Sequence, residues 1–267
     1  MAANDELLRL ARDIAVEAGA LAHRRRIEGV EVADLKSSPV DVVTHADRET
    51  ENLIRSLLAD ARPHDGFLGE EGGAETGTSG LTWVVDPIDG TVNYLYGIPQ
   101  WAVSIAVVEG DPDPLTWKAL AGCVTNPVAG EIYTAMDAGG AFSGNQQLRV
   151  AEPDSLAQSL IGTGFGYDAA VRGEQGAVVA ALLPLVRDIR RFGAASLDIC
   201  AVATGRLNGY FERGLSPWDH AAAALVVREA GGVVTGRDGA PGSRDLLLAA
   251  PPELASTLGI TLARAGV

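Results

Sequence analysis

The chain has 267 residues and carries 35 Asp and Glu against 21 Lys and Arg, a formal net charge of −14 at pH 7. That excess argues against a nucleic-acid or anionic-membrane partner, since both need basic surface. Hydrophobic residues make up 47%, enough for a sizeable core, and no apolar run reaches the roughly 18–20 residues that span a bilayer.

From the N-terminus, apolar positions Leu7, Leu8, Leu10, Ala11, Ile14, Ala15, Ala18 and Leu21 keep a helical period over about 4–26. The basic run His23-Arg24-Arg25-Arg26 closes this helix, where cations complement the dipole. Lys36-Ser37-Ser38-Pro39 reads as a loop, Val42-Val43-Thr44 as extended chain, and 46–61 as a second helix. Phe67-Leu68-Gly69 reads as a strand end opening into the Gly-rich Glu70-Glu71-Gly72-Gly73, and 74–80 as a surface loop. Trp83-Val84-Val85 favours a strand that turns sharply at Asp86-Pro87-Ile88-Asp89-Gly90. Further strands are expected at 102–108 and in a hairpin, 119–124 with 131–135, around Asn126-Pro127. The second half alternates: a strand at 160–163, helices at 169–187 and 196–204, a strand at 207–211, a helix at 219–230, and strands at 233–234 and 246–249. This interleaving suggests a layered α/β architecture, one unit over 1–267 with approximate halves 1–150 and 151–267. The acidic start, Met1 to Glu6, lacks the order of a secretory signal. Cys123 and Cys200 sit among apolar neighbours and read as core thiols. Both point to a reducing, cytoplasmic setting.

Acidic residues fall at three element junctions: Glu70-Glu71, then Asp86 with Asp89, then Asp219 at the start of an alanine-rich helix. Singly, each has a plain reading as loop solvation, a turn, or an N-terminal helix acid. Asp86 and Asp89, three residues apart at a strand mouth, would repel unless one is protonated or a cation lies between them. An all-oxygen donor set suits a hard divalent ion such as Mg²⁺. The pattern lacks the 12-residue loop and closing Glu of an EF-hand. His45 and His220 flank acidic positions and read as surface or cap residues; His23 and His64 carry no signal.

Together, Gly69-Glu70-Glu71-Gly72-Gly73, Asp86-Pro87-Ile88-Asp89-Gly90-Thr91-Val92-Asn93-Tyr94 and Trp218-Asp219 with Ala221-Ala222 resemble the three signature motifs of the inositol monophosphatase family. Lys36, Val43-Thr44 with Ala46-Asp47, Gly162 to Phe165, Arg191 with Gly193 to Ser196, and Gly209 to Glu212 extend the likeness over essentially the whole chain. The third motif ordinarily continues in Gly where Ala223 stands here.

The resemblance implies an αβαβα five-layer sandwich and Mg²⁺-dependent hydrolysis of a phosphate monoester, with Ca²⁺ or Mn²⁺ as other occupants and Li⁺ as inhibitor. Glu70, Asp86 and the Ile88 carbonyl would hold one ion. Asp86, Asp89 and Asp219 would hold a second, and a third, weaker ion would touch Glu70. Lys36, Asp47 and Glu71 would support these from behind. Glu70, Thr91 and Asp89 would carry catalysis, with Thr91 and Glu70 orienting water. The substrate would meet Asp89, Gly90, Thr91, Gly193, Ala194, Ala195, Glu212 and Asp219. A homodimer is also implied. Direct in-line water attack without a phospho-enzyme is expected on a separate reading, that the chain offers no Asp-x-Asp phosphoryl acceptor and no reactive Cys-x₅-Arg loop.

Phosphate monoester dianions repel nucleophiles, and their uncatalysed hydrolysis is among the slowest reactions known. Divalent ions neutralise that charge, acidify water and stabilise the departing alkoxide. Thr91, following Gly90 at a helix start, lies where free N–H groups favour phosphate. The expected substrate is myo-inositol 1-phosphate, a small phosphorylated polyol. Histidinol phosphate and fructose 1,6-bisphosphate are the alternatives within the fold, and 3′-phosphonucleotides a further one. A catalytically inactive, metal-binding regulatory protein is the reading from another class.

Overall fold

The apolar stripe at Leu7, Ala11, Ile14, Ala15 and Ala18 buries one face of the first helix, and its periodicity sets where that helix lies. A computed structural model describes residues 2–35 and 42–267 of the chain. The elements run α1 (Ala2–Glu28), β1 (Val32–Leu35), β2 (Val42–Thr44), α2 (His45–Ala61), β3 (Gly66–Gly69), β4 (Gly73–Glu75), β5 (Leu81–Asp89) and α3 (Thr91–Tyr96). They continue with β6 (Ala102–Glu109), β7 (Lys118–Asn126), β8 (Glu131–Met136), β9 (Gly140–Ser143), β10 (Gln146–Gln147), β11 (Leu160–Thr163), α4 (Ala169–Leu182) and β12 (Asp188–Arg190). The last are α5 (Ala195–Ala203), β13 (Gly209–Glu212), α6 (Pro217–Glu229), β14 (Val233–Thr235), β15 (Leu247–Ala250) and α7 (Pro252–Arg264).

An eight-stranded sheet has the order β10-β9-β8-β7-β6-β5-β3-β4, and a five-stranded sheet the order β12-β11-β13-β15-β14. Strand alternation assigns the faces. Trp83, Val85, Val103, Ile105 and Val107 join the stripe of α1 and Ile54 and Leu58 of α2. Val84, Ala102, Ala106 and Val108 point the other way, into a cluster with α5 and α6 that also takes Tyr210, Leu247 and Ala249 of the second sheet. The far face of that sheet packs Ile161, Phe211 and Leu248 against Val178 and Leu182 of α4 and Leu254, Leu258 and Leu262 of α7. The order is therefore α1/α2, sheet, α5/α6, sheet, α4/α7: the expected αβαβα sandwich. Among the described residues no helix is long and apolar enough to cross a membrane.

Several boundaries differ from expectation. β5 does not end before Asp86 but continues to Asp89 through a register shift against β6 between those residues. Such a bulge tolerates Pro87 because the ladder is already broken there. The 169–187 helix stops at Leu182, one residue before a 3₁₀ turn containing Pro184. The 74–80 loop is partly ordered, since Gly73–Glu75 pairs antiparallel with β3. The helix expected at 219–230 begins at Pro217, which suits a first turn whose N–H needs no partner, so Asp219 is its third residue. α7 was not anticipated. Both cysteines are buried and free, as read. The basic cluster is a helix end: Arg25 pairs with Glu28 and with Glu49 of α2 at 2.6 Å each.

Candidate active site

Alternation along β5 places Asp86 on the same face as Val84, toward α6, opposite Ser104 of β6. The bulge then sends Ile88 into a separate apolar pocket with Tyr94 and Trp101, and leaves Asp89 at the strand end. The turn between β5 and α3 needs glycine. Gly90 has φ +92°, and a Cβ there would stand 3.1 Å from both the Gly193 carbonyl and the Ala194 methyl. This close approach brings the 193–195 turn, a hundred residues onward, against the end of β5.

Asp89, Asp219 and Asp47 are each held by a helix N-terminus. Asp89 accepts from the Ala195 N–H at 3.1 Å, the Ser196 N–H at 2.7 Å and the Ser196 hydroxyl at 2.5 Å, all in the first turn of α5. Asp219 closes a capping box on α6, accepting from the Ser216 N–H at 2.7 Å. Asp47 does the same on α2 with Thr44, and its other oxygen faces Thr91. The Thr91 hydroxyl lies 3.0 Å from Asp47 Oδ1 and 3.1 Å from the Ile88 carbonyl. Both are acceptors, so its one proton points to them and its lone pairs point away.

Glu70 follows β3 in a loop shaped by a residue the motif reading passed over. The Glu51 carboxylate, buried on α2, accepts the Glu71 and Gly72 N–H groups at 2.8 and 2.7 Å and pairs with Arg55 at 3.1 Å. A Cβ at Gly69 or Gly72 would strike that carboxylate, at 2.5 and 2.6 Å. The Glu51/Arg55 spacing of four within a predicted helix was the available signal. Glu71 thus enters this support through its backbone, and its side chain does not line the cleft. Lys36 lies outside the described residues.

These groups meet in a cavity of about 620 Å³ lined by Glu70, Asp86, Ile88, Asp89, Gly90, Thr91, Gly193, Ala194, Ala195, Glu212 and Asp219. Every expected ligand and substrate contact is therefore brought to one cleft, with Asp47 directly behind Thr91. Glu212 is half-buried in the wall, not a surface acid, and one of its oxygens takes the Tyr210 hydroxyl. Ala195 lines the cleft, but its N–H is committed to Asp89. His220 is not at the surface: it is buried beside Trp117, and burial pushes its imidazole down to about 4. Ala223 is buried in the apolar cluster beneath the site and touches none of the acids' hydrogen bonds. Sequence reasoning missed Asp198, a fully buried cleft acid on α5; an acid amid Leu197, Ile199 and Cys200 was the signal for it.

The electrostatics follow from the count. Eight acids line the cavity (Glu70, Asp86, Asp89, Asp168, Asp198, Glu212, Asp219, Asp245) against three arginines, Arg191, Arg213 and Arg244. Burial, then repulsion from Glu70, Asp89 and Asp219, raises Asp86 well above the carboxylate range. Burial and Glu70 do the same to Asp219. Asp89 is raised by burial, although Ser196, Ala195 and Arg191 oppose the shift. Burial lifts Asp47 to about 7 against its bonds from Thr44, and lifts Glu212 to about 7 against Tyr210 and Arg191.

A carboxylate set this dense, made of hard oxygen donors and short of cations, has the chemistry of a divalent-ion site. Among the described residues no three of the groups are drawn into a closed coordination cluster. The fit lies in the donor set and its unbalanced charge.

Contrary to the sequence expectation, both strings that mark phospho-enzyme phosphatases do occur, but the structure places neither where it could serve. Asp111-Pro112-Asp113 is exposed in the β6–β7 connection, outside the cleft. Cys200 and Arg206 have the spacing of a cysteine phosphatase loop, but Cys200 is buried inside α5 with its thiol pushed up by burial. Arg206 pairs with Glu131 at 2.6 Å instead.

A five-layer αβαβα sandwich with this acidic cleft at the mouth of its strands defines a phosphatase fold. The profile of the inositol monophosphatase family matches residues 3–264, and the chain belongs to that family. It is similar to an inositol-1-monophosphatase of Mycobacterium leprae, 42% identical over 97% of this chain and 94% of that one. Among solved structures, Mycobacterium tuberculosis SuhB is 41% identical, with a TM-score of 0.81 over 98% of this chain and 97% of that one. The extragenic suppressor protein suhB of Bartonella henselae has a TM-score of 0.88 at 34% identity, covering 98% and 100% of the two chains.

Proposed function

We propose that the chain is a Mg²⁺-dependent phosphatase that hydrolyses myo-inositol 1-phosphate to myo-inositol and phosphate by direct attack of water. The observation that carries this reading is the convergence of Glu70, Asp86, Asp89 and Asp219 with Thr91 in one cleft, in a chain 42% identical to an inositol-1-monophosphatase. Glu70, Asp86, Asp89, Asp219 and the Ile88 carbonyl would hold Mg²⁺. When bound, it supplies charge neutralisation, an acidified water and stabilisation of the leaving alkoxide.

The chain's own groups do the rest. Thr91 donates a hydrogen bond to Asp47, which leaves its oxygen lone pairs free to accept a hydrogen bond from water and aim it. Asp47 is buried and lifted to about 7, a value suited to taking up a proton near neutral pH. Gly90 and Thr91, at the opening of α3, line the cleft, where free N–H groups of a first helical turn would favour phosphate oxygens. Across the cleft, Glu212 keeps one oxygen clear of Tyr210 and can accept from a polyol hydroxyl. No step requires a phosphorylated side chain.

The test is phosphate release from myo-inositol 1-phosphate with and without Mg²⁺, beside histidinol phosphate and fructose 1,6-bisphosphate. The highest kcat/KM is expected for the inositol ester. No Mg²⁺-dependent release from any of the three would overturn the activity; a clear preference for another ester would overturn the substrate.

A further inference from the structure

The Asp89 carboxylate has about four lone-pair sites, two on each oxygen. On Oδ2 both are taken, by the Ser196 N–H at 2.7 Å and the Ser196 hydroxyl at 2.5 Å. On Oδ1 one is taken, by the Ala195 N–H at 3.1 Å. A single site on Oδ1 remains for anything in the cleft. The two backbone donors come with the helix and would hold a carboxylate whatever the side chain at 196. The third donor comes from Ser196 alone, which is fully buried and makes no other contribution to the cleft wall.

We propose that Ser196 is a positioning residue that restricts Asp89 to one-oxygen coordination and so biases the site toward Mg²⁺ over Ca²⁺, a reading that rests on divalent-ion binding at this cleft. Mg²⁺ demands a near-octahedral shell at short distances, which single carboxylate oxygens satisfy. Ca²⁺ takes more oxygens in looser geometry and is well served by a carboxylate offering both. With the hydroxyl in place, Asp89 has no second oxygen to offer. Without it, Oδ2 regains a lone pair, and the carboxylate can turn both oxygens to a larger ion.

The test is calorimetric titration of the full-length, chelator-stripped protein with MgCl₂ and with CaCl₂, separately and without substrate. In Ser196→Ala the ratio Kd(Mg²⁺)/Kd(Ca²⁺) should rise on the order of tenfold over the wild type. Ser196→Cys, similar in size but a weak donor, should move the same way and serves if the alanine variant does not fold. Ser196→Thr, which restores a hydroxyl, should return the ratio toward wild type. An unchanged ratio in a folded Ala or Cys variant, with both ions still binding, overturns the role of Ser196 and leaves the metal site standing. Failure of the wild type to bind either ion overturns the metal reading, and this proposal with it.

Discussion

At the scale of single residues, the pair Thr91 and Asp47 shows how one hydrogen bond assigns two roles. Asp47 is a capping-box acid for α2 and the acceptor for Thr91. Thr91→Ala removes the hydroxyl that would aim water while leaving the cleft's acids in place. It should lower kcat by about 10²–10⁴-fold with KM nearly unchanged, measured by steady-state phosphate release. A parallel rise in KM would instead make Thr91 a substrate-binding group. The motif acids were legible in the sequence because each stands at a junction next to Gly or Pro. Ser196, Glu51 and Asp198 were not assigned roles, because what they do depends on partners 20 to 107 residues away. Ser196 meets Asp89 across 107 positions and Glu51 meets Gly72 across 21; no local period records such contacts. His220 was misread for a related reason: its neighbour Asp219 faces the cleft, while the next step round the helix turns toward the core.

Among elements, α2 is tied to β5 by a clamp that titrates. Asp65, just past the end of α2, accepts from Arg62 Nε at 2.7 Å and from the Trp83 indole at 3.0 Å. Its side chain is 2% exposed. Burial alone would raise the acid, but hydrogen bonds from Arg62, Ser79 and Trp83 hold it below the usual carboxylate value. A folded-state value below the unfolded one gives stability that is complete above the ordinary carboxylate range and is lost as pH falls through the folded value. Asp65→Asn should therefore destabilise the protein by about 1.5–3 kcal/mol near neutrality. The deficit should shrink toward zero as acid protonates the wild-type group, read from urea midpoints across pH. A deficit independent of pH would mean that charge plays no part. Element boundaries were legible where period and breaker agreed, as at α1, α2 and β6. They slipped where tertiary pairing decided, as in the continuation of β5 through Pro87 and the pairing of β4 with β3.

Across the whole molecule, the middle layer sets the spacing between the two sheets. Gly122 of β7 faces α6, where an added Cβ would come within 2.9 Å of the Ala222 Cα. That backbone cannot yield cheaply, because Ala221 to Ala224 are buried on the opposite side as well. Gly122→Val should cost about 1–3 kcal/mol by overpacking. It should also push Asp219, two residues before Ala221 on α6, away from Asp86. Activity should then fall more than stability predicts, checked by comparing kcat with urea midpoints. A stability loss with full activity would show that α6 accommodates the change without moving its N-terminus. The layered class was readable from the alternation of helix and strand periods, whereas the stacking order depends on which helix carries small residues on two faces.

The bonds from Ala195 and Ser196 to Asp89 also bear on when the protein becomes competent during synthesis. Glu70, Asp86 and Asp89 leave the ribosome more than a hundred residues before the turn and α5, which hold Asp89, and before α6, which brings Asp219. Until then, three acids sit uncovered at the strand ends of the first sheet. If the cleft holds an ion as proposed, that ability should appear late, at the step that docks the second sheet, and ion capture would then report completed assembly.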